Sequence, residues 1–353
     1  MDKIVSRNPH PMHWIRSGAL VLAASAILVS AAAQSKVLEK SAEPAPHASA
    51  GAAVVLIQGV EGTSEYGQEF GVWIERLKRA ATDGGTALHR IGHGAQPMQG
   101  ATTDRERLKS LLAELSVQTQ TPLWIIYCGH GSYDGQDARW NLRGPDVGAL
   151  ELQAMLQEIQ RPIALVVCAA ASGPFVNAIS APNRVVISAT KSGLEYSYAR
   201  FGDAFSSAFE DLAADLDKDQ QVSLLEAYLY ASSRVAQFYQ AAGRLATEHA
   251  LLDDNADGRG TPASWFRGTR VIRVAKDGSR ADGALAHQWH LHPSERERAL
   301  PAVSRAERDA LELKLEALRA GKEQLGTRDY DAQLETILVS LARIYARQIP
   351  GND

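Results

Sequence analysis

His130 and Cys168 are the residues best suited to covalent chemistry, because each closes a short apolar run with small residues beyond it. The first run reads Trp124-Ile125-Ile126-Tyr127-Cys128-Gly129-His130-Gly131. The second reads Ile163-Ala164-Leu165-Val166-Val167-Cys168-Ala169-Ala170-Ala171-Ser172-Gly173. A buried parallel strand has this composition, and residues at its end reach the carboxyl edge of a sheet. A histidine that meets a cysteine there supplies the base that makes a thiolate, a strong nucleophile. Backbone amides near Gly131 and Cys168 would hold the oxyanion. His93 also lies between glycines, but after a weaker run, and is the poorer candidate.

A second chemistry lies in the acidic residues. Asp215-Leu216-Asp217-Lys218-Asp219-Gln220-Gln221-Val222-Ser223-Leu224-Leu225-Glu226 has the spacing of an EF-hand loop. Such spacing wraps carboxylates around one calcium ion, and the twelfth residue can chelate with both oxygens. Asp215, Asp217, Asp219, Gln221 and Glu226 are the predicted ligands. Gln220 replaces the glycine of the sharp turn, so a side chain is expected at positive φ, at about 0.5–2 kcal/mol. Ser223 and Glu226 also form a capping box for the next helix. Asp253, Asn255 and Asp257, with Gly258, repeat the first half of the pattern, but Ser264 stands at the closing position. That stretch is either a weaker calcium site or an acidic turn.

The elements that must position these residues follow from hydrophobic spacing. Val54-Val55-Leu56-Ile57 is a first strand and Ala87-Leu88-His89-Arg90-Ile91 a weaker second one. Between them Phe70, Ile74, Leu77 and Ala81 mark one face of a helix. Leu108, Leu111, Leu112 and Leu115 mark another before the His130 strand. Leu150–Ile159, the Cys168 strand and Arg184–Ser188 continue the alternation. Apolar strands alternating with helices imply a parallel α/β sheet covered on both faces. Near the C-terminus Leu311, Leu315 and Leu318, then Tyr330, Leu334, Ile337, Leu341 and Ile344, predict a helical hairpin over 301–349. Ser304 and Glu307 suggest its capping box. Residues 276–300 read as a linker, and 53–275 as the main domain with both acidic loops.

The order of motifs resembles the caspase/legumain-like cysteine peptidase superfamily, as a divergent, bacterial-type exported member. The resemblance spans about Val54 to Glu210 and rests on Gly129-His130-Gly131, Ser172-Gly173, Ala189-Thr190, Ser197-Tyr198-Ala199 and Gly202-Asp203. It implies an α/β caspase-like three-layer sandwich with a mainly parallel sheet. It also implies a His130/Cys168 dyad and a substrate pocket containing Ser197 and Asp203. Asp203 would orient an asparagine side chain, or else simply cap a helix carrying Phe205, Phe209 and Leu212. Aligning Ser172-Gly173 on the family's Cys-x-Ser-Gly puts Ala170, not Cys168, at the nucleophile position. Cys168 lies two residues earlier, about 6–7 Å along the strand. If His130 faces position 170, Cys128 faces Cys168. Three states of Cys168 follow: a disulfide with Cys128, a free nucleophile, or an inert buried thiol. The basic residue and histidine that the family's pocket uses after the first strand are replaced by Gly62-Thr63-Ser64-Glu65-Tyr66-Gly67-Gln68.

Lys3, Arg7 and Arg16, followed by an apolar stretch ending in Ser30-Ala31-Ala32-Ala33, read as a signal peptide over 1–33, with an uncleaved membrane anchor as the alternative. Residues 34–52, rich in Ala, Pro and Ser, read as a flexible leader. The expected location is periplasmic or extracellular, with no membrane association after cleavage. The formal net charge of −4 offers no basic field for nucleic acid. The expected partner is a polypeptide substrate, or a protein bound without catalysis through the C-terminal hairpin. The expected cofactor is calcium.

Overall fold

The strands without polar alternation form the centre of the molecule. They are β1 (Ala53–Gln58), β2 (Ala87–Ile91), β3 (Leu123–Cys128), β7 (Ile163–Cys168) and β8 (Arg184–Ser188). Every residue of β1, β3 and β7 is buried. The computed structural model describes residues 52–93, 103–116 and 122–346, except 274 and 277. The predicted signal peptide, and the leader up to residue 51, lie outside them.

Among the described residues the main sheet has seven strands in the order β10-β9-β8-β7-β3-β1-β2, with β9 (Leu251–Asp253) and β10 (Thr261–Pro262) at one edge. The five strands from β8 to β2 are parallel, and β9 and β10 are antiparallel. Alternation divides β1 between two cores. Val54 and Leu56 face α1 (Ser64–Asp83), while Ala53, Val55 and Ile57 face α2 (Asp104–Leu115). On the second face α3 (Ala149–Leu156) and α4 (Gly173–Ile179) join α2. On the first, α5 (Phe201–Ser207) and α6 (Leu224–Ala241) join α1. This is the mainly parallel, helix-covered arrangement expected from sequence. The chain reverses its direction of travel across the sheet between β1 and β3. In open parallel sheets the crevice beyond such a reversal is where sites form.

Several local expectations need correction. The helix after Asp203 ends at Ser207, so Phe209 lies beyond it and Leu212 is exposed. Residues 276–300 are no loose linker, because Leu285, Trp289 and Leu291 enter the α1-side core. The Trp289 carbonyl also accepts the Leu224 amide at the start of α6. The hairpin is present as α8 (Ala302–Ala320) and α9 (Thr327–Ala346), preceded by α7 (Glu295–Ala299). Its first helix begins at Ala302 with Pro301 at the cap, so Ser304 and Glu307 lie inside it and form no capping box. A three-stranded antiparallel sheet of β4 (Gly131–Tyr133), β5 (Ala138–Trp140) and β6 (Val147–Gly148) was not anticipated; its strands are too short to leave a period. Among the described residues no helix is long and apolar enough to cross a membrane.

Candidate functional site

The turn after β3 is built by close approach. A Cβ on Gly129 would stand 2.7 Å from the Tyr127 hydroxyl, and one on Gly131 would stand 2.1 Å from the Ala170 carbonyl oxygen. Glycine on both sides of His130 is therefore a packing requirement. The Tyr127 hydroxyl donates to the His130 carbonyl at 2.6 Å, and the Asn141 amide donates to the same oxygen at 3.1 Å. His130 is half-buried, with Nε2 3.2 Å from the Glu61 carbonyl oxygen, an acceptor, so that nitrogen carries the proton. Its ring lies edge-on to Tyr66 at 4.9 Å and Phe70 at 5.1 Å between centroids. Tyr198 closes this aromatic nest, and its hydroxyl donates to the Glu69 carboxylate. Burial and Glu69 push the Tyr198 hydroxyl pKa well up, so it stays a donor.

Cys168 ends β7 at the carboxyl edge, but its sulfur belongs to the core on the α1 side, and the residue is 1% exposed. It is the register partner of Cys128, and both are free thiols. Burial, then the hydrogen bond with Cys128, pushes the Cys168 pKa well up. Gly202 covers it, since a Cβ there would come 2.9 Å from the Cys168 Cβ. β7 stays in regular register with β3 through Cys168. The residue whose carbonyl packs against the His130 turn is Ala170.

The turn around Ala170 is pinned from the neighbouring strand end. Ala171 adopts φ +54° and its amide donates to the Glu195 carbonyl at 2.8 Å. The Thr190 hydroxyl oxygen accepts the amides of Ser172 at 2.7 Å and Gly173 at 3.2 Å, while Ser172 Oγ accepts the Thr190 amide at 3.1 Å. The Ser-Gly and Ala-Thr motifs thus lock each other.

Ser197 is exposed. Asp203 lies in the first turn of α5, whose cap is Arg200, so it does not cap the helix. It pairs with Arg76 at 2.7 Å and borders a cavity of about 310 Å³ shared with Glu69, Trp73, Tyr198 and Arg200. Ser197 does not line that cavity.

The first acidic loop brings Asp215, Asp217 and Asp219 together, with carboxylate oxygens within 4.8 Å of one another. Gln220 sits at φ +73°, as expected from the missing glycine. Glu226 forms the predicted capping box: Oε2 accepts the Ser223 amide at 2.8 Å, and the Ser223 hydroxyl accepts the Glu226 amide. Its Oε1 accepts the Leu216 amide. Burial raises the Asp219 pKa to about 6. His287, from the supposed linker, bonds to Asp217 at 3.0 Å and lowers its pKa. Burial depresses His287, but Asp217 more than compensates and its pKa rises.

In the second acidic stretch Asp253 and Asp254 are buried, and Asn255 and Asp257 reach the surface. Burial lifts Asp253 to about 6 and Asp282, beside it, to about 8. The sequence alone assigns no role to Asp282, Tyr66, Glu69 or Tyr198. For Tyr66 the signal was available, four residues before Phe70 on the same helix face.

Neither a protein-family model nor a curated protein matches the chain. Among solved structures it is similar in fold to caspase-1 from Spodoptera frugiperda, at 8% identity and TM-score 0.39, over 60% of this chain and 89% of that one. The Drosophila initiator caspase Dronc matches at 12% identity and TM-score 0.37, over 60% and 81%. A protein from Geobacter sulfurreducens matches at 13% identity and TM-score 0.34, over 52% and 88%. These likenesses concern the fold alone.

Proposed function

We propose that this chain is an exported, catalytically silent relative of caspase/legumain-like peptidases, which uses the surface around His130, Tyr198 and Asp203 to bind a polypeptide and is stabilised by calcium. One observation carries this reading: both sulfurs at the carboxyl edge of the sheet, Cys128 and Cys168, are buried and burial pushes the Cys168 pKa up, while Ala170 packs beside the His130 turn. A base without a nucleophile in hydrogen-bond reach does not form a covalent intermediate. What remains is a recognition surface: a fixed imidazole, an aromatic wall and a cavity with acidic and basic groups. The clustered Asp215, Asp217 and Asp219 support calcium, at about 10⁻⁵–10⁻³ M because Gln220 strains the loop. Export is supported by the basic, apolar and small-residue succession over 1–33.

The test is peptidase assay of the purified protein with asparaginyl and aspartyl substrates, with and without reductant. No turnover is expected in either condition. Robust cleavage lost in both His130→Ala and Cys168→Ala would overturn the reading.

A further inference from the structure

The stretch that begins at Asp253 lacks a carboxylate at its twelfth position, where Ser264 stands. In the loop from 215 to 226 that position is Glu226. Its Oε1 accepts the amides of the second and third loop residues, Leu216 at 2.7 Å and Asp217 at 3.3 Å. The equivalent amides of the other loop, Asp254 and Asn255, also share one carboxylate oxygen. It is Asp282 Oδ1, at 2.8 and 3.0 Å. Asp282 lies 28 residues beyond Asp254. Its second oxygen accepts the hydroxyl of Thr261, the ninth loop residue, at 2.6 Å. A carboxylate distant in sequence therefore stands where Glu226 stands in the first loop.

The two backbones agree at four further points, although the sixth amide donates to Asp215 in the first loop and to Ser180 in the second. The fourth and sixth residues are at φ +66° and +73° in Lys218 and Gln220, and at +66° and +71° in Ala256 and Gly258. In each loop the fifth amide donates to the third side chain, Asp219 to Asp217 at 3.2 Å and Asp257 to Asn255 at 2.8 Å. In each the seventh amide donates to the fifth carboxylate, Gln221 to Asp219 at 3.1 Å and Arg259 to Asp257 at 2.7 Å. Asn255 is oriented by donating Nδ2 to the Arg280 carbonyl at 2.6 Å, which leaves its oxygen turned to the loop.

An independent observation points to a ligand. Asp253 is 0% exposed, and its Oδ2 is buried with no hydrogen-bond partner among the described residues. Oδ1 accepts from the Ser180 hydroxyl at 2.8 Å, and Ser180 Oγ accepts the amide of Gly258 at 3.0 Å, which turns the carboxylate into the loop. A buried carboxylate oxygen without a donor is costly, and a cation is the partner that removes the cost. Asp257, Thr261 and Asp282 also border a cavity of about 270 Å³, walled on another side by Trp265.

We propose that Asp253, Asn255, Asp257 and Asp282 hold a second divalent cation of the hard, oxygen-seeking class to which calcium belongs. The site is discontinuous, so the ion ties the segment around Asp282 to the end of the main sheet. Lys276 and Arg280 border the same cavity and keep the affinity modest. The proposal extends the calcium reading of the first loop and fails separately from it.

Calorimetric titration of the full chain with calcium chloride decides it. The wild type should take up two ions per chain, and Asp282→Asn should take up one. Because Asp282 is buried, Asp257→Asn, at an exposed position, gives the same measurement without risk to folding. Asp219→Asn should remove the other ion. Terbium emission sensitised by tryptophan should fall in Trp265→Phe and in Asp257→Asn, but persist in Asp219→Asn. A single ion per wild-type chain, unchanged by Asp257→Asn and lost in Asp219→Asn, would overturn the second site and leave the first standing. Absence of any calcium heat would overturn both.

Discussion

Cys128 and Cys168 stand opposite each other in register across β3 and β7, both as free thiols buried in the core. This pairing keeps the sulfur that sequence reading offered as a nucleophile inside the core. A thiol attacks as its thiolate, and burial opposes that charge. The raised Cys168 pKa means that its contribution to stability is fully present below the unfolded thiol value of about 8.5 and is lost as pH rises further.

The first prediction follows from that state. Iodoacetamide at neutral pH should leave both cysteines of the native protein unmodified, and should alkylate both once the chain is unfolded in guanidinium without reductant. Mass spectrometry counts the adducts. Two protected sulfurs after unfolding, released only by reductant, would mean a disulfide instead.

The second concerns position 170. Its carbonyl packs against Gly131 and the residue is nearly buried, but the turn is held rigidly by Ser172, Thr190 and Glu195. Ala170→Cys should introduce a thiol that reacts with iodoacetamide at least about tenfold faster than either native cysteine, because a neighbouring histidine favours the thiolate. His130→Ala in that background should slow the reaction. Equal rates with and without His130 would show that position 170 does not face the imidazole.

The strands were legible because Val, Ile and Leu runs such as Val54–Ile57 and Ile163–Val167 are buried on both faces, and no other local structure explains them. The Ser223/Glu226 capping box was legible for the same reason: both partners lie within one turn of chain. What escaped depends on groups far apart in sequence. Asp282 is one of two acids in a polar stretch, and nothing local marks it as the partner of the Asp254 and Asn255 amides. Residues 276–300 looked like a linker because Trp289 and Leu291 are spaced among histidines and glutamates, with no helical or strand period. The position of the Cys168 sulfur was set by packing under Gly202, which no spacing predicts.

The third prediction concerns how the hairpin is held. Arg308, buried on α8, makes a bidentate pair with Glu297, one arm at 2.9 Å, and also bonds Asp309 at 2.7 Å. Burial alone would raise the Glu297 pKa, but Arg308 holds it below its ordinary value. Such a group stabilises above its unfolded pKa of about 4.3 and loses that contribution as pH falls through the lower folded value. Glu297→Ala leaves a buried guanidinium short of a partner and should cost about 3–5 kcal/mol in urea unfolding at pH 7. The difference between variant and wild type should shrink below pH 4. A cost under about 0.5 kcal/mol would place this pair among ion pairs that contribute nothing measurable.

The fourth prediction tests the first acidic loop through its backbone alone. Gln220 and Gly258 occupy the same position of two similarly folded loops, at φ +73° and +71°. Only glycine adopts this region without a Cβ penalty of about 1–2 kcal/mol. Gln220→Gly therefore relieves strain, partly offset by the greater freedom that glycine gives the unfolded chain, and should stabilise the protein by about 0.5–1 kcal/mol. It touches none of Asp215, Asp217, Asp219 or Glu226. If the loop takes its present shape to hold calcium, removing the strain lowers the cost of that shape, and calorimetry should give tighter calcium binding by up to about fivefold. The reciprocal change, Gly258→Gln, should destabilise the apo protein by a similar amount and weaken the second site alone. A Gln220→Gly variant that gains stability with no change in calcium affinity would separate the loop's geometry from metal binding.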